Sequence, residues 1–184
     1  MVRIFVEGED DKKFIIALFR FLKKNNKINF ESNSVFDEYI TVMKNKSKLL
    51  DINNYTDISE IVEKKIKRVL FIFDCDFEID DKRCNGIENS EICFDNLKKE
   101  LNWNVEIDHY IFNRNLDYFI SETIEKEHCL LQIEECLELN TLKPNRKPLS
   151  ALYSIMYPKA PYNLVHPNFD ELKQKLQNLF KEDN

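Results

Sequence analysis

Apolar residues along this chain fall into short runs that alternate with stretches of helical spacing. The apolar-rich runs at residues 2–6, 69–73 and 105–112 predict strands. Every position of "VLFIF" at 69–73 is apolar, which predicts a strand buried on both faces, as in a parallel sheet covered by helices. A shorter strand is expected within residues 34–43, followed by a turn and a short helix in "KNKSKLLD".

Helical spacing of apolar residues predicts several helices. They are expected near residues 11–24, 58–66, 90–101, 116–124, 130–139 and 169–179. Asp10 or Asp11 is suited to cap the first helix, and Ser90 to cap the helix that carries Ile92, Cys93, Leu97 and Leu101. Strands that alternate with helices favour an α/β architecture with right-handed crossovers.

The pattern favours one α/β domain with an extension. Residues 1–125 are expected to form a central, mainly parallel sheet flanked by helices, in a Rossmann-like arrangement. Residues 126–184, which contain all five prolines, are expected to form a helical C-terminal extension packed on the same domain. The 184 residues suffice to bury a core, and a hydrophobic content of 43% excludes a disordered chain.

Composition narrows the function classes. Only two glycines occur, Gly8 and Gly86, so a glycine-rich phosphate loop is excluded. No apolar run approaches the ~20 residues of a membrane helix, and the chain opens without a basic region followed by an apolar one. An odd number of cysteines, five, then favours reduced thiols in a cytoplasmic protein without membrane association.

The net charge of −6 is unevenly distributed along the chain. Residues 69–141 hold 18 Asp and Glu against 6 Lys and Arg, whereas the segments on either side are basic. An acidic centre can hold a metal ion, and basic flanks can contact phosphates. The alternative is a solvated surface, which we favour for most of these carboxylates and for the stretch with Lys44, Lys46 and Lys48.

Three carboxylates follow the predicted strands. Glu7 comes directly after the first strand, and Asp74 and Asp76 follow the strongest one. If the two strands are neighbours, the acids meet at the carboxyl edge of the sheet, where open α/β sheets bind ligands. Side-chain alternation would point Asp74 and Asp76 the same way. Clustered carboxylates repel unless a cation neutralises them, and hard oxygen ligands select Mg²⁺ or Mn²⁺, the usual metals of phosphoryl chemistry.

Two short motifs resemble those of Toprim domains. The segment "VEGEDD" is similar to the Glu-Gly-x-x-Asp motif, as Glu7, Gly8 and Asp11, and "IFDCD" to the Asp-x-Asp motif, as Asp74 and Asp76. Both follow apolar runs, in the order and at the separation typical of the family. The chain most resembles small stand-alone Toprim proteins, related to nucleases of the overcoming-lysogenisation-defect family, which implies a Toprim-like fold over residues 1–125.

The resemblance also implies an activity, a Mg²⁺- or Mn²⁺-dependent nuclease that hydrolyses phosphodiesters of a nucleic acid. Asp74 and Asp76 would bind the metal, and Glu7 would bind it or act as general acid and base. Asp11 would support the site, on the metal directly or through contacts with its ligands. The expected nucleophile is a water molecule, whereas topoisomerases of the family use a tyrosine from another domain.

The resemblance extends, more loosely, to two later residues. Asp117 in "NLDYFI" corresponds to the acid that heads a helix after a later strand, which implies a further metal ligand. Lys147 in "NRKPLS" corresponds to a late basic residue of the catalytic set. The expected partners are a nucleic acid and a partner ATPase.

Other functions stay open at this point. A Toprim-type fold can be a catalytically silent binding module for a partner protein or nucleic acid, which the acidic net charge favours. A haloacid-dehalogenase-type phosphotransferase also has Asp-x-Asp after a buried strand, but Glu78 stands where that class has a small hydroxyl residue. His128, Cys129 and Cys136 form a zinc set that lacks a fourth ligand.

Overall fold

The centre of the protein is a four-stranded parallel sheet. The computed structural model describes residues 2–28, 36–58, 65–76, 83–123 and 162–181 of the chain. The strands are β1 (Val2–Val6), β2 (Ile40–Val42), β3 (Arg68–Asp74) and β4 (Glu106–Phe112). They lie in the order β2-β1-β3-β4, and each neighbouring pair is parallel. The predicted α/β class and the neighbouring positions of the two motif-bearing strands are confirmed.

Helices cover the sheet. The α-helices are α1 (Glu9–Lys24), α2 (Lys46–Leu49), α3 (Ile87–Leu101), α4 (Leu116–Ser121) and α5 (Asp170–Leu179). Single 3-10 turns occur at Phe36–Tyr39, Ile52–Tyr55 and Pro167–Phe169. The predicted helix at 130–139 lies outside the described residues, as does most of the one at 58–66.

Strand β3 is buried on both faces, which explains its unbroken apolar sequence. Alternate side chains enter two different cores, because successive residues of a strand point to opposite faces. Leu70 and Ile72 pack with α1 and α5, whereas Phe71 and Phe73 pack with α3 on the other face. Each fully buried Phe or Ile contributes roughly 1.5–3 kcal/mol, so β3 holds the two layers together.

Helix α5 packs against α1 in the first of these cores. It buries Leu172, Leu176 and Leu179, the apolar positions that the sequence spacing predicts. Phe14 of α1 and Phe169, just before α5, are both fully buried, and their ring centroids lie 5.6 Å apart. Residues 162–181 are therefore part of the same core as the sheet.

The ends of two helices differ from the prediction. Helix α1 is capped by Gly8 rather than by Asp10 or Asp11, and Asp11 stands in its first turn. Helix α3 begins at Ile87, three residues before the predicted cap Ser90, because Gly86 has φ 83°, a left-handed conformation that favours glycine.

The inner face of α3 matches the predicted stripe in part. The positions that face the core are Ser90, Phe94, Leu97 and Leu101, so the prediction is confirmed for the two leucines. It is wrong for Ile92, which is 59% exposed and lies about half a turn from this face.

The cysteines near α3 correct the expectation of reduced thiols. Cys84, which precedes α3, forms a disulfide with Cys93 in its second turn. Cys75 is a buried free thiol, as expected for a side chain that points into the core. Cys129 and Cys136 lie outside the described residues.

Among the described residues, the structure has no helix with both the length and the apolar character needed to cross a membrane.

Candidate functional site

The carboxyl edge of the sheet gathers charged residues from the ends of all four strands. Glu7 follows β1, Asp74 ends β3, and Asp76 lies two residues further on. Lys46 begins α2 just after β2, and Arg114 follows β4. The parallel arrangement brings these five residues to one edge, as the sequence predicts for the three acids.

Glu7 is a carboxylate in an unfavourable environment. Its pKa is raised from 4.5 to about 7, mainly by burial and also by the negative charges of Asp76 and Asp11. The main-chain N–H of Asp74 opposes this rise, but it lies 3.4 Å from Oε2 of Glu7, which is a long hydrogen bond. Glu7 therefore exchanges a proton near neutral pH.

The pKa of Asp74 is raised as well. Burial raises the pKa of Asp74 well above its usual value, and the charges of Asp11, Glu7 and Asp76 add to the effect. Its Oδ1 accepts a hydrogen bond of 3.0 Å from the N–H of Leu116, the first residue of α4. This bond fixes the orientation of the carboxylate, so its position is set by the fold.

Asp11 joins the cluster from α1. Its side chain is buried, and Oδ2 accepts a 2.6 Å hydrogen bond from the N–H of Gly8. Asp11 thus satisfies a helix N-terminal donor and also repels Glu7 and Asp74. Gly8 is the cap of α1, and Asp11 combines a hydrogen bond to that cap with membership of the acidic cluster.

Asp76 does not follow the alternation of a strand. Strand β3 ends at Asp74, and Asp76 has φ 56°, in the left-handed region that is strained for a residue with a side chain. Its N–H donates a 2.7 Å hydrogen bond to the main-chain oxygen of Arg114, which holds this conformation. The period-two argument for Asp74 and Asp76 therefore does not apply, although the charge of Asp76 raises the pKa of Glu7, and the charges of Glu7 and Asp76 raise the pKa of Asp74.

Lys46 is the residue that sequence reasoning missed. The prediction of a solvated face is wrong for it, because it is only 7% exposed. Its Nζ lies 3.6 Å from Oδ2 of Asp76. Burial lowers the pKa of Lys46, whereas the charges of Asp76 and Glu7 raise it. The available signal was position, since Lys46 follows the predicted short strand as Glu7 and Asp74 follow theirs.

Arg114 is a second basic residue at this edge that the sequence did not single out. It is exposed, and its guanidinium carbon lies 4.9 Å from the centroid of the Tyr118 ring. Its main chain is fixed on the turn after β3, because its N–H donates to Sγ of Cys75 at 2.9 Å and its oxygen accepts from Asp76. The pair presents a cation and an aromatic face beside the acidic cluster.

Two other candidates stand differently. Asp117 lies half-buried in the first turn of α4, next to Leu116, whose N–H donates to Asp74. Its charge is not among those that raise the pKa of Glu7 or Asp74. Lys147 and His128 lie outside the described residues, within 124–161. Glu78 lies outside them as well, within 77–82.

A cavity of about 540 Å³ lies beside the edge strand β4, away from the acidic cluster. Its lining includes Glu91, His109 and Lys175 of α5. Nε2 of His109 and Oε2 of Glu91 are hydrogen-bonded at 2.6 Å. The carboxylates of Glu7 and Asp74 do not line it. The acidic cluster and this cavity are therefore separate features of the described part of the chain.

The donor set of the acidic cluster suits a hard divalent cation. Electrostatic interactions couple four carboxylates, and Nζ of Lys46 lies 3.6 Å from Oδ2 of Asp76. Within the described ranges, no group of three or more His, Cys, Asp or Glu side chains is arranged to hold a metal ion as it stands. Because the carboxylates repel one another, a cation would have to draw them inward, and all-oxygen donors fit Mg²⁺ or Mn²⁺.

Comparisons of the chain with protein-family models, with curated proteins and with solved structures give no match.

Proposed function

We propose that this protein is a Toprim-type, Mg²⁺- or Mn²⁺-dependent phosphodiesterase that hydrolyses nucleic acid. The observation that carries the proposal is the meeting of Glu7, Asp11, Asp74 and Asp76 at the carboxyl edge of a parallel sheet. These are the acids of the two Toprim-like motifs, and their repulsion is relieved by a divalent cation.

The chain's own residues divide the work as follows. Asp74 and Asp76 would hold the metal, and Asp11 would hold the cluster in place through its bond to Gly8. When bound, the divalent ion would neutralise these carboxylates and polarise the phosphodiester. The N–H of Leu116 orients the Asp74 carboxylate at the sheet edge.

Glu7 is suited to move the proton of the reaction. Without a bound cation its pKa is about 7, and a neighbouring divalent cation would favour the ionised form, the form that acts as general base. As base, it would take a proton from the attacking water while the new O–P bond forms. The bond from phosphorus to the leaving oxygen breaks, and that oxygen then takes up a proton.

Arg114 and Tyr118 support a nucleic acid as the substrate. An exposed guanidinium beside the acidic cluster can contact a neighbouring phosphate, and the aromatic ring offers a surface on which a base can stack. Both stand at the same sheet edge as Asp76, to which the main chain of Arg114 is bonded.

The experiment is a cleavage assay on single-stranded DNA, double-stranded DNA and RNA with Mg²⁺, with Mn²⁺ and with EDTA. We expect cleavage that requires the metal and falls at least 100-fold in Asp74→Asn and Glu7→Gln, which keep the size of each side chain. Asp95→Asn, an exposed acid on α3, is the matched control and should leave cleavage unchanged. Full activity in Asp74→Asn would overturn the proposal.

A catalytically silent binding module is the second candidate. It is favoured by the absence, in the described part of the chain, of a metal-ready arrangement of ligands. Tight nucleic-acid or protein binding with no cleavage under any metal condition would support this function, and metal-dependent cleavage lost in Asp74→Asn would exclude it.

A further inference from the structure

Lys46 has no role in the proposed function as stated above, although it is one of the few charged side chains buried in the described part of the protein. It is 7% exposed and starts α2, directly after β2. A buried ammonium is unfavourable unless its three protons are hydrogen-bonded and its charge is paired. The partners of these protons therefore indicate what the residue does.

The three protons of Lys46 have three neutral acceptors. Nζ donates to the main-chain oxygen of Cys75 at 2.8 Å, to Oδ1 of Asn85 at 3.1 Å and to Oγ of Ser90 at 3.1 Å. One acceptor belongs to the turn after β3, one to the segment before α3 and one to α3 itself. Lys46 thus ties the turn that carries Asp76 to the start of α3.

The same turn is held from the opposite side by β4. The N–H of Asp76 donates to the oxygen of Arg114 at 2.7 Å, and the N–H of Cys75 donates to the oxygen of Phe112 at 3.0 Å. The left-handed backbone of Asp76 is costly, by roughly 1–3 kcal/mol, and persists only where its surroundings enforce it. Lys46 adds a 2.8 Å hydrogen bond from its Nζ to the main-chain oxygen of Cys75, the residue before Asp76.

We propose that Lys46 is a positioning residue, which fixes the turn of Cys75 and Asp76 and so directs the Asp76 carboxylate to the metal. This inference rests on the proposed function, because it gives Asp76 a metal to bind. Nζ lies 3.6 Å from Oδ2 of Asp76, so the ammonium stands beside the carboxylate. Its three hydrogen bonds to the neutral acceptors are kept at this distance.

A positioning role and a purely electrostatic role predict opposite effects on metal affinity. If Lys46 acted only through its charge, its removal would tighten cation binding, because the cation would lose a repelling neighbour. If Lys46 positions Asp76, its removal weakens binding, by about 10- to 100-fold for a residue that orients a metal ligand.

The test is a titration of the full chain with Mn²⁺ alone, read by the electron paramagnetic resonance signal of free Mn²⁺. The variants are Lys46→Met, Asp76→Asn and the double variant, and the control is Lys48→Met, which removes an exposed charge from the same helix. We expect Lys46→Met to weaken Mn²⁺ binding about 10- to 100-fold, and by less than about twofold in the Asp76→Asn background.

The outcomes separate this inference from the proposed function. The positioning role would be overturned if Lys46→Met bound Mn²⁺ as tightly as the wild type or more tightly, or if it weakened binding equally in the wild type and in Asp76→Asn. In either case, Mn²⁺ binding by the wild type would still support the metal site of the proposed function. Absence of Mn²⁺ binding by the wild type would overturn both. If circular dichroism shows Lys46→Met to be unfolded, Asn85→Ala replaces it in the cycle, with a smaller loss that again depends on Asp76.

Discussion

The main-chain N–H of Asp74 points to Oε2 of Glu7 across 3.4 Å, although 67 residues separate the two in sequence. The parallel pairing of β1 with β3 produces this proximity, because both residues lie at the same ends of neighbouring strands. A hydrogen bond of this length stabilises the Glu7 carboxylate weakly. Burial and the neighbouring acids therefore dominate, and the pKa of Glu7 rises to about 7.

The raised pKa of Glu7 predicts that this residue destabilises the fold at high pH. The unfolded chain loses the proton of Glu7 above about pH 4.5, whereas the folded chain keeps it until about pH 7. The folded state therefore binds more protons between these values, and the free energy of unfolding falls as the pH rises through this window. The full penalty, roughly 2–3 kcal/mol, is present above pH 7.

We expect Glu7→Gln to be more stable than the wild type at pH 8 by roughly 2–3 kcal/mol, and of similar stability near pH 4.5. Urea unfolding in the presence of EDTA measures both differences. The same measurements on Glu106→Gln, an exposed glutamate at the start of β4, should show no such pH-dependent gain. A wild type that is the more stable protein at pH 8 would contradict the assigned environment of Glu7.

Divalent cations should reverse this destabilisation. A ligand that binds only the folded state at 100 times its dissociation constant stabilises by about 2.7 kcal/mol, which corresponds to a rise in Tm of roughly 5–10 °C for a chain of this size. We expect Mn²⁺ to raise the Tm of the wild type at pH 8 by this amount, and Asp74→Asn to remove most of the rise. Differential scanning calorimetry measures the Tm of both proteins with and without Mn²⁺. An equal rise in Tm in the wild type and Asp74→Asn would mean that the cation binds at a site other than the acidic cluster.

Arg114 should act on substrate binding rather than on the chemical step. Its exposed guanidinium is stacked near Tyr118 and can contact a phosphate beside the scissile one. Arg114→Met is expected to raise KM for an oligonucleotide by roughly five- to tenfold, with kcat changed by less than about twofold, and to reduce the salt dependence of binding. Lys24→Met, which removes an exposed charge at the far end of α1, is the control. A loss confined to kcat would rule out the phosphate contact.

The disulfide between Cys84 and Cys93 should stabilise the fold locally, around the start of α3. It closes a short loop, with a sequence separation of 9, for which the chain-entropy estimate is about 3 kcal/mol. Reduction with a phosphine should lower the free energy of unfolding by roughly that amount. The Cys84→Ser, Cys93→Ser double variant should be insensitive to reductant, and an equal response in both proteins would mean that another cysteine is responsible.

The sheet was predictable because each strand carries its own apolar run. "VLFIF" gives β3 its two buried faces, and the spacing of Leu172, Leu176 and Leu179 gives α5 its inner face. The acids Glu7 and Asp74 were predictable as site candidates since each ends such a strand. Their placement at one edge followed once β1 and β3 were taken as neighbours, which the pairing confirms.

The features that the sequence did not reveal depend on tertiary packing. Lys44, Lys46 and Lys48 alternate in the sequence, and nothing in that pattern distinguishes them. Only the folded structure shows that Lys46 is the buried one. The conformation of Asp76 depends on the oxygen of Arg114, 38 residues away, rather than on its own strand. The helix start at Gly86 was missed because Ser90 is the better cap by residue type, while its hydroxyl is used inside the core instead.

The central claim is that Asp74 and Asp76 hold one divalent cation beside Glu7, and a crystal of the full chain soaked in Mn²⁺ tests it most directly. The account predicts one anomalous peak at the carboxyl edge of the sheet, about 2.0–2.4 Å from carboxylate oxygens of Asp74 and Asp76, which is absent in Asp74→Asn. Anomalous density elsewhere, or none at this edge, with the three carboxylates in their present positions, would contradict it.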